Sequence, residues 1–192
     1  YKDSIILPDT LSDAAKVAEN KNKDEGYLTD KYTFTGYAWF RRSCTVESDM
    51  TGLVSILTLE RTRVSTLYID GAEVGTCDSL CSSHRYDISS YMTAGTHEIV
   101  IRVANVGYKT GGGHMTSPDT QTNWLGIVGK MNIEIYPKSY ISDVRVIASA
   151  DGSLSVRGTA NGADNAVVTA TVTAPGGIRV LKANIIADGD TF

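Results

Sequence analysis

Between residues 36 and 186 the chain is a succession of short apolar or alternating runs separated by glycine- and aspartate-rich turns, and this pattern leaves little choice of fold. Helical periodicity is almost absent. Side chains that point to opposite faces every second residue define strands. Many such strands joined by tight turns define an antiparallel sandwich or jelly roll. Residues 37–46 are aromatic and β-branched, as a strand requires. Residues 53–60 are apolar on both parities (Leu53, Leu57 and Leu59 against Val54 and Ile56), which predicts a central strand covered on both faces. Residues 65–69 lead into Asp70-Gly71, a two-residue hairpin signal. Residues 78–84 read as a polar loop. In 98–103, Ile99, Ile101 and Val103 share one face; in 130–135, Met131, Ile133 and Ile135 are expected to point inward. Ahead of this scaffold, residues 4–26 read as an irregular arm, in which Asp9 or Thr10 could cap a short helical turn through Ala14 and Val17.

Residues 105–129 stand apart. A connection of this length inside a compact domain is functional or disordered, and its composition argues for function. Trp124 and Ile127 offer apolar anchors beside His114, Asp119, Gln121, Thr122 and Asn123. Gly111, Gly112 and Gly113 let the backbone turn or approach a ligand closely. Trp124 reads either as a plug closing the sandwich or as a contact surface. The polar residues next to it have no reason to be held there unless their groups are used.

Beyond residues 137–140 the character changes. Four Val-rich alternating runs, 141–148, 153–159, 166–172 and 178–186, are separated by Asp151-Gly152, Asn161-Gly162 and Pro175-Gly176-Gly177. They suit an immunoglobulin-like sandwich, which takes about seven strands, so a second unit over 139–192 reads as incomplete. Its core is lean, with no aromatic between Tyr140 and Phe192. Exposed edges and apolar side chains there predict a tail that is mobile or paired with a second copy of the chain, a homo-oligomer.

A net charge of -4 over 192 residues offers no electrostatic footprint for nucleic acid, and no Lys/Arg block or long apolar run suggests a membrane. The chain begins at Tyr1 rather than Met, so the lack of a targeting segment says nothing about export. Three cysteines, Cys44, Cys77 and Cys81, make neither a disulfide framework nor a four-ligand metal set and read as small thiols; a Cys77–Cys81 bridge stays open. No metal and no cofactor is expected. Gly111-Gly112-Gly113-His114 lacks the Lys-Ser/Thr of a phosphate loop, and no Gly-x-Ser-x-Gly elbow is present. The acids Glu47, Glu60, Asp70, Glu73, Asp87, Glu98 and Asp119 are scattered singly, so no acid/base pair for glycoside cleavage is marked and no catalytic residue is assigned. Asp70 and Asp87 read as turn formers. Arg41, Arg42, Arg61 and Arg63 read as ion-pair or stacking partners of nearby aromatics.

The motifs taken in order resemble the N-terminal sugar-binding-type domain of family 2 glycoside hydrolases, the β-galactosidase and β-glucuronidase group. The resemblance rests on Leu7-Pro-Asp-Thr10, Gly36-Tyr-Ala-Trp-Phe-Arg41, Leu59-Glu-Arg-Thr62 and Leu67-Tyr-Ile-Asp-Gly-Ala-Glu-Val-Gly75. It continues through Asp78-Ser-Leu80, His84-Arg-Tyr-Asp-Ile88, residues 95–103 with Asn105, Gly113-His114 and, most specifically, residues 120–129. It covers residues 4–135, and the tail resembles the start of the immunoglobulin-like domain that follows in such enzymes. It implies an all-β chain: a galactose-binding-like jelly roll over 1–138, then part of an immunoglobulin-like sandwich over 139–192. It also implies a carbohydrate partner and a catalytic TIM barrel in cis, carrying two glutamates with no counterpart here. The substrate-binding candidates it implies are His114, Asp119, Gln121, Asn123 and Trp124, because in some members this loop reaches the barrel's sugar pocket. Two other classes stay open: a free-standing carbohydrate-binding module, and a structural or oligomerisation sandwich.

Overall fold

The computed structural model describes residues 3–21, 28–109, 113–117, 120–163, 165–189 and 191–192. The chain is all-β and divides into two compact units, Tyr1–Ile135 and Tyr136–Phe192.

In the first unit the strands are β1 (Asp9–Thr10), β2 (Tyr37–Val46), β3 (Val54–Thr62), β4 (Val64–Ile69), β5 (Ala72–Cys77), β6 (His84–Asp87), β7 (Gly95–Ala104) and β8 (Gly126–Tyr136). They form two four-stranded sheets, ordered β1-β8-β3-β6 and β2-β7-β4-β5. Inward side chains of both sheets, among them Phe40, Leu57, Leu59, Leu67, Tyr86, Val103 and Ile127, join in one buried cluster, so the unit is a β-sandwich. Leu59 and Leu67 are fully buried, each contributing on the order of 2 kcal/mol by leaving water. As its two-sided apolar pattern requires, β3 lies inside its sheet, between β8 and β6. At the β4–β5 hairpin Asp70 and Gly71 take φ of 52° and 83°, the positive pair that a type I′ turn demands.

Four expectations change. Asp9 and Thr10 do not start a helix: they form β1, with Asp9 opposite Ile127 and Thr10 opposite Gly126. Thr10 still caps a turn, its hydroxyl accepting from Asp13 N at 3.0 Å, but Ala15 at φ 51° ends it. The same pairing draws Gly126 and Ile127 out of the long loop and into β8. A Cβ at Gly126 would collide with the Asp9 carbonyl, so only glycine lets the two strands close. His84 is not a loop residue; it is fully buried in β6 opposite Leu59, and its ring nitrogens are satisfied by Ser65 and Ser79. Finally, Met131 and Ile133 pack on the core while Ile135 is 46% exposed, because β8 runs past the end of the buried cluster.

The second unit consists of two antiparallel hairpins, β9 (Tyr140–Ala148) with β10 (Leu154–Asn161) and β11 (Val167–Thr173) with β12 (Arg179–Ile186). Gly152, Gly162, Gly176 and Gly177 all have positive φ at the connecting turns. Many of its apolar side chains are exposed, including Ile141, Val146, Val167, Val180 and Ile186.

Candidate functional site

The end of the sandwich where β7 stops is organised by Asn105, which is 1% exposed. Its Oδ1 accepts from Gly36 N at 2.8 Å, and its Nδ2 donates to Phe34 O at 2.7 Å and Asn123 O at 2.9 Å. One amide thereby joins the arm's entry into β2, the exit of β7 and the late part of the long loop. Asn123 answers with its own amide: Nδ2 donates to Asn105 O at 3.2 Å, and Oδ1 accepts from Tyr108 OH at 2.8 Å.

Arg63, between β3 and β4, fixes the loop from below. Its buried guanidinium lies 4.2 Å from the Trp124 ring centroid. Nε donates to Trp124 O at 3.2 Å and Nη2 donates to Thr122 O. Burial pushes the Arg63 pKa down and Tyr108 opposes that shift; burial likewise pushes the Tyr108 phenol up, against the pull of Arg63. His114 opens a 3-10 turn (His114–Thr116), with its side chain exposed and its carbonyl accepting from the Thr120 and Thr122 hydroxyls.

The N-terminal arm completes the site. Ser12 Oγ donates to Tyr32 O at 2.9 Å, Asn20 Nδ2 donates to Asp30 O at 3.2 Å, and Leu28 bridges in parallel to Thr120. Arm and loop together border a polar depression whose walls include Asn20, Asp30 and Tyr32 from the arm and Gln121, Asn123 and Trp124 from the loop. Burial, and then the neighbouring Asp13 charge, push the Asp30 carboxyl up, against the opposing pull of the nearby Ser12 side chain.

Of the residues the sequence singles out, Gln121, Asn123 and Trp124 therefore meet at one depression. Asn123 faces it but commits its amide to Asn105 and Tyr108. His114 acts through its main chain. Asp119, and with it Gly111 and Gly112, lies outside the described residues. The sandwich plug is Leu125, fully buried beside the half-exposed Trp124. The arm's contribution was not visible in the sequence, because a Lys- and Asn-rich run without periodicity carries no sign of where it folds back.

A serine and a histidine do meet elsewhere: Ser65 Oγ lies 2.6 Å from His84 Nδ1 and 2.7 Å from Tyr86 OH. His84 Nε2 donates to Ser79 O at 2.7 Å, which makes Nδ1 the acceptor for the Ser65 hydroxyl. Burial pushes the His84 pKa down and raises the Tyr86 phenol to about 12. Ser65 and His84 are sealed from solvent, so the chain of hydrogen bonds ties the two sheets together and offers no substrate an approach. Cys44, Cys77 and Cys81 are all free thiols. Among the described residues no three His, Cys, Asp or Glu side chains are grouped to hold a metal ion. The described wall of the depression carries a single carboxylate, Asp30, a composition suited to holding hydroxyl-bearing ligands rather than to paired acid/base chemistry.

Neither a protein-family model nor a curated protein matches the chain. Solved structures do. Bacteroides uniformis β-glucuronidase superposes with a TM-score of 0.70 at 21% identity, over 99% of this chain and 23% of that one. A glycosyl hydrolase family 2 member from Bacteroides cellulosilyticus gives 0.63 at 15% identity, over 97% and 25%. The fold is that of a segment of family 2 glycoside hydrolases. Faecalibacterium prausnitzii β-glucuronidase agrees, with a TM-score of 0.61 at 18% identity over 83% of this chain. The chain spans only 23% to 31% of the length of these three proteins. The family 2 fold accounts for the jelly-roll sandwich and the immunoglobulin-like strands that follow it.

Proposed function

We propose that the chain is the non-catalytic N-terminal accessory part of a retaining exo-glycosidase of the β-galactosidase and β-glucuronidase group, and that its arm–loop depression meets the sugar beside a catalytic barrel. The observation that carries this reading is the convergence of arm and loop on one polar depression of a family 2 fold. Trp124 and Gln121 both line this depression, and the Gln121 amide has no side-chain partner among the described residues. Asn123 and the carbonyl of His114 hold the loop in shape, and Asp119 belongs to the same loop. The immunoglobulin-like tail is then the start of the next domain.

Two measurements test the reading. The purified chain is expected to release no nitrophenol from p-nitrophenyl β-D-galactoside or glucuronide, since Asp30 is the one carboxylate on the described wall of the depression. Turnover that disappears on mutating an acid within the chain would overturn the non-catalytic assignment. Reading the gene onward from Phe192 is expected to reveal a barrel with two glutamates; a frame without one would leave a free-standing module.

A further inference from the structure

On the sheet β2-β7-β4-β5, antiparallel register sets Trp39 opposite Arg102, Arg102 opposite Thr66, and Val100 opposite both Arg41 and Tyr68. Tyr37 and Trp39 lie two residues apart and share the face turned away from Phe40 and the core. They are 56% and 49% exposed, yet neither is loose. Trp39 meets the Tyr68 ring at 5.8 Å between centroids, tilted by 32°. The Arg102 guanidinium lies 5.5 Å from the Tyr37 ring and 5.8 Å from Trp39, and its Nη2 donates to Thr66 Oγ1 at 2.9 Å. The Thr66 hydroxyl is tied in turn to Thr76 at 2.8 Å. Three rings and one guanidinium thus form a contiguous platform over three strands, ~10 Å across at ordinary strand spacing.

One of the two guanidinium groups on this face lacks an acidic partner. Arg41 pairs with Glu98 at 3.5 Å, whereas Arg102 meets no carboxylate among the described residues. A second copy stacked face to face would set Arg102 against Arg102. A protein partner needs about 800 Å² on each side, but charged Arg41, Glu98 and Glu73 border these rings within two residues. A carboxylate-bearing sugar fits better. The C–H face of a pyranose lies on the electron-rich face of an indole, and a carboxylate takes two parallel hydrogen bonds from a guanidinium.

We propose that this platform binds an acidic saccharide, with a pyranose ring on Trp39, its carboxylate on Arg102 and a neighbouring sugar over Tyr37 or Tyr68. It is a separate site from the arm–loop depression and does not depend on it. The two tryptophans of the chain make the distinction measurable, because Trp39 belongs to the platform and Trp124 to the depression.

The ¹⁵N-labelled chain is titrated with tri-galacturonate and with neutral maltotriose, following both indole N–H signals. Tri-galacturonate is expected to move Trp39 saturably and to bind about tenfold more tightly than maltotriose, a preference that shrinks as salt rises. Arg102→Gln is expected to remove about that tenfold preference while maltotriose affinity stays within about twofold. Trp39→Phe, which keeps a ring in place, is expected to weaken both ligands. No response from Trp39, equal affinity for the two ligands in the unmutated chain, or a preference that survives Arg102→Gln overturns the proposal. A response at Trp124 alone also overturns it and supports the depression instead. If every saccharide is silent, the face is left to a protein.

Discussion

Replacing Asn105 with leucine keeps the volume of the side chain and removes its hydrogen-bonding groups. The structure then leaves Gly36 N–H, Phe34 C=O and Asn123 C=O without the partner they have at 2.7–2.9 Å. Each lost bond costs about 1 kcal/mol net, and more where the abandoned group cannot reach water. Since the site is 1% exposed, a total of about 3–5 kcal/mol follows. For a unit of this size that lowers Tm by about 10–15 °C, at roughly 3 °C per kcal/mol. Tryptophan fluorescence during heating is the appropriate assay, because Trp39 and Trp124 both lie in the first unit and the second is silent. Asn123→Ala supplies an internal scale. It deletes the contacts to Asn105 O and Tyr108 OH but keeps the Asn123 carbonyl, and should cost about 1–2 kcal/mol. A Tm within about 3 °C of the unmutated protein for Asn105→Leu, or a larger loss for Asn123→Ala, would refute the view that Asn105 joins the three segments.

His84 has a folded pKa below its ordinary 6.5, so the unfolded chain takes up the proton first as pH falls. Stability is therefore full above about pH 6.5 and drains below it; urea midpoints should fall between about pH 7 and 5, and His84→Asn should flatten that slope. His97 has the opposite sign: the hydrogen bond from its Nδ1 to Asp70 at 2.7 Å, and then its bond to the Thr93 carbonyl, raise its pKa. Its contribution is present below about pH 6.5 and is lost as pH rises through the folded value, and Asp70→Asn should lower the His97 midpoint in an imidazole NMR titration. Gly126→Ala drives a Cβ into the Asp9 carbonyl; it should unpair β1, seen as rapid amide exchange at residues 9–11 while the β3 amides stay protected. In the second unit, where apolar side chains of both hairpins are exposed, amides should exchange fast in a dilute monomer, and uniformly slow exchange in a strict monomer would contradict the picture of an incomplete sandwich.

Most of the strand framework was legible because burial on a sheet leaves a period-two signature. Tyr37–Val46 reads as a strand from its composition, β3 from apolar residues on both parities, and the β4–β5 turn from Asp70-Gly71. The failures share a cause. His84 looks like a loop residue because its suitability for a core depends on Ser65 and Ser79, partners that no local window contains. Gly126 and Ile127 look like loop residues because the strand that captures them, β1, is only two residues long and lies far away in sequence. At the candidate site, Gln121, Asn123 and Trp124 were found from their crowding in one stretch. Asn20, Asp30 and Tyr32 were not, since the arm has no periodic pattern and its position is set by main-chain bonds such as Asn20 N to Lys31 O at 2.8 Å. Asn105 was visible as the first residue of the long loop and as part of a resemblance, but nothing about an asparagine after a strand announces three long-range partners.

The way Arg63 holds the loop bears on how such a site can change over generations. The guanidinium donates to the carbonyls of Thr122 and Trp124, groups that every amino acid possesses. Only the Trp124 ring above it depends on side-chain identity. Position 121, which lies between the anchored residues and whose side chain takes no part in the fastening, can therefore mutate while the anchor persists, so a new side chain is displayed on an unchanged backbone path. A fastening of that kind lets selection alter what the loop contacts without first having to rescue its shape.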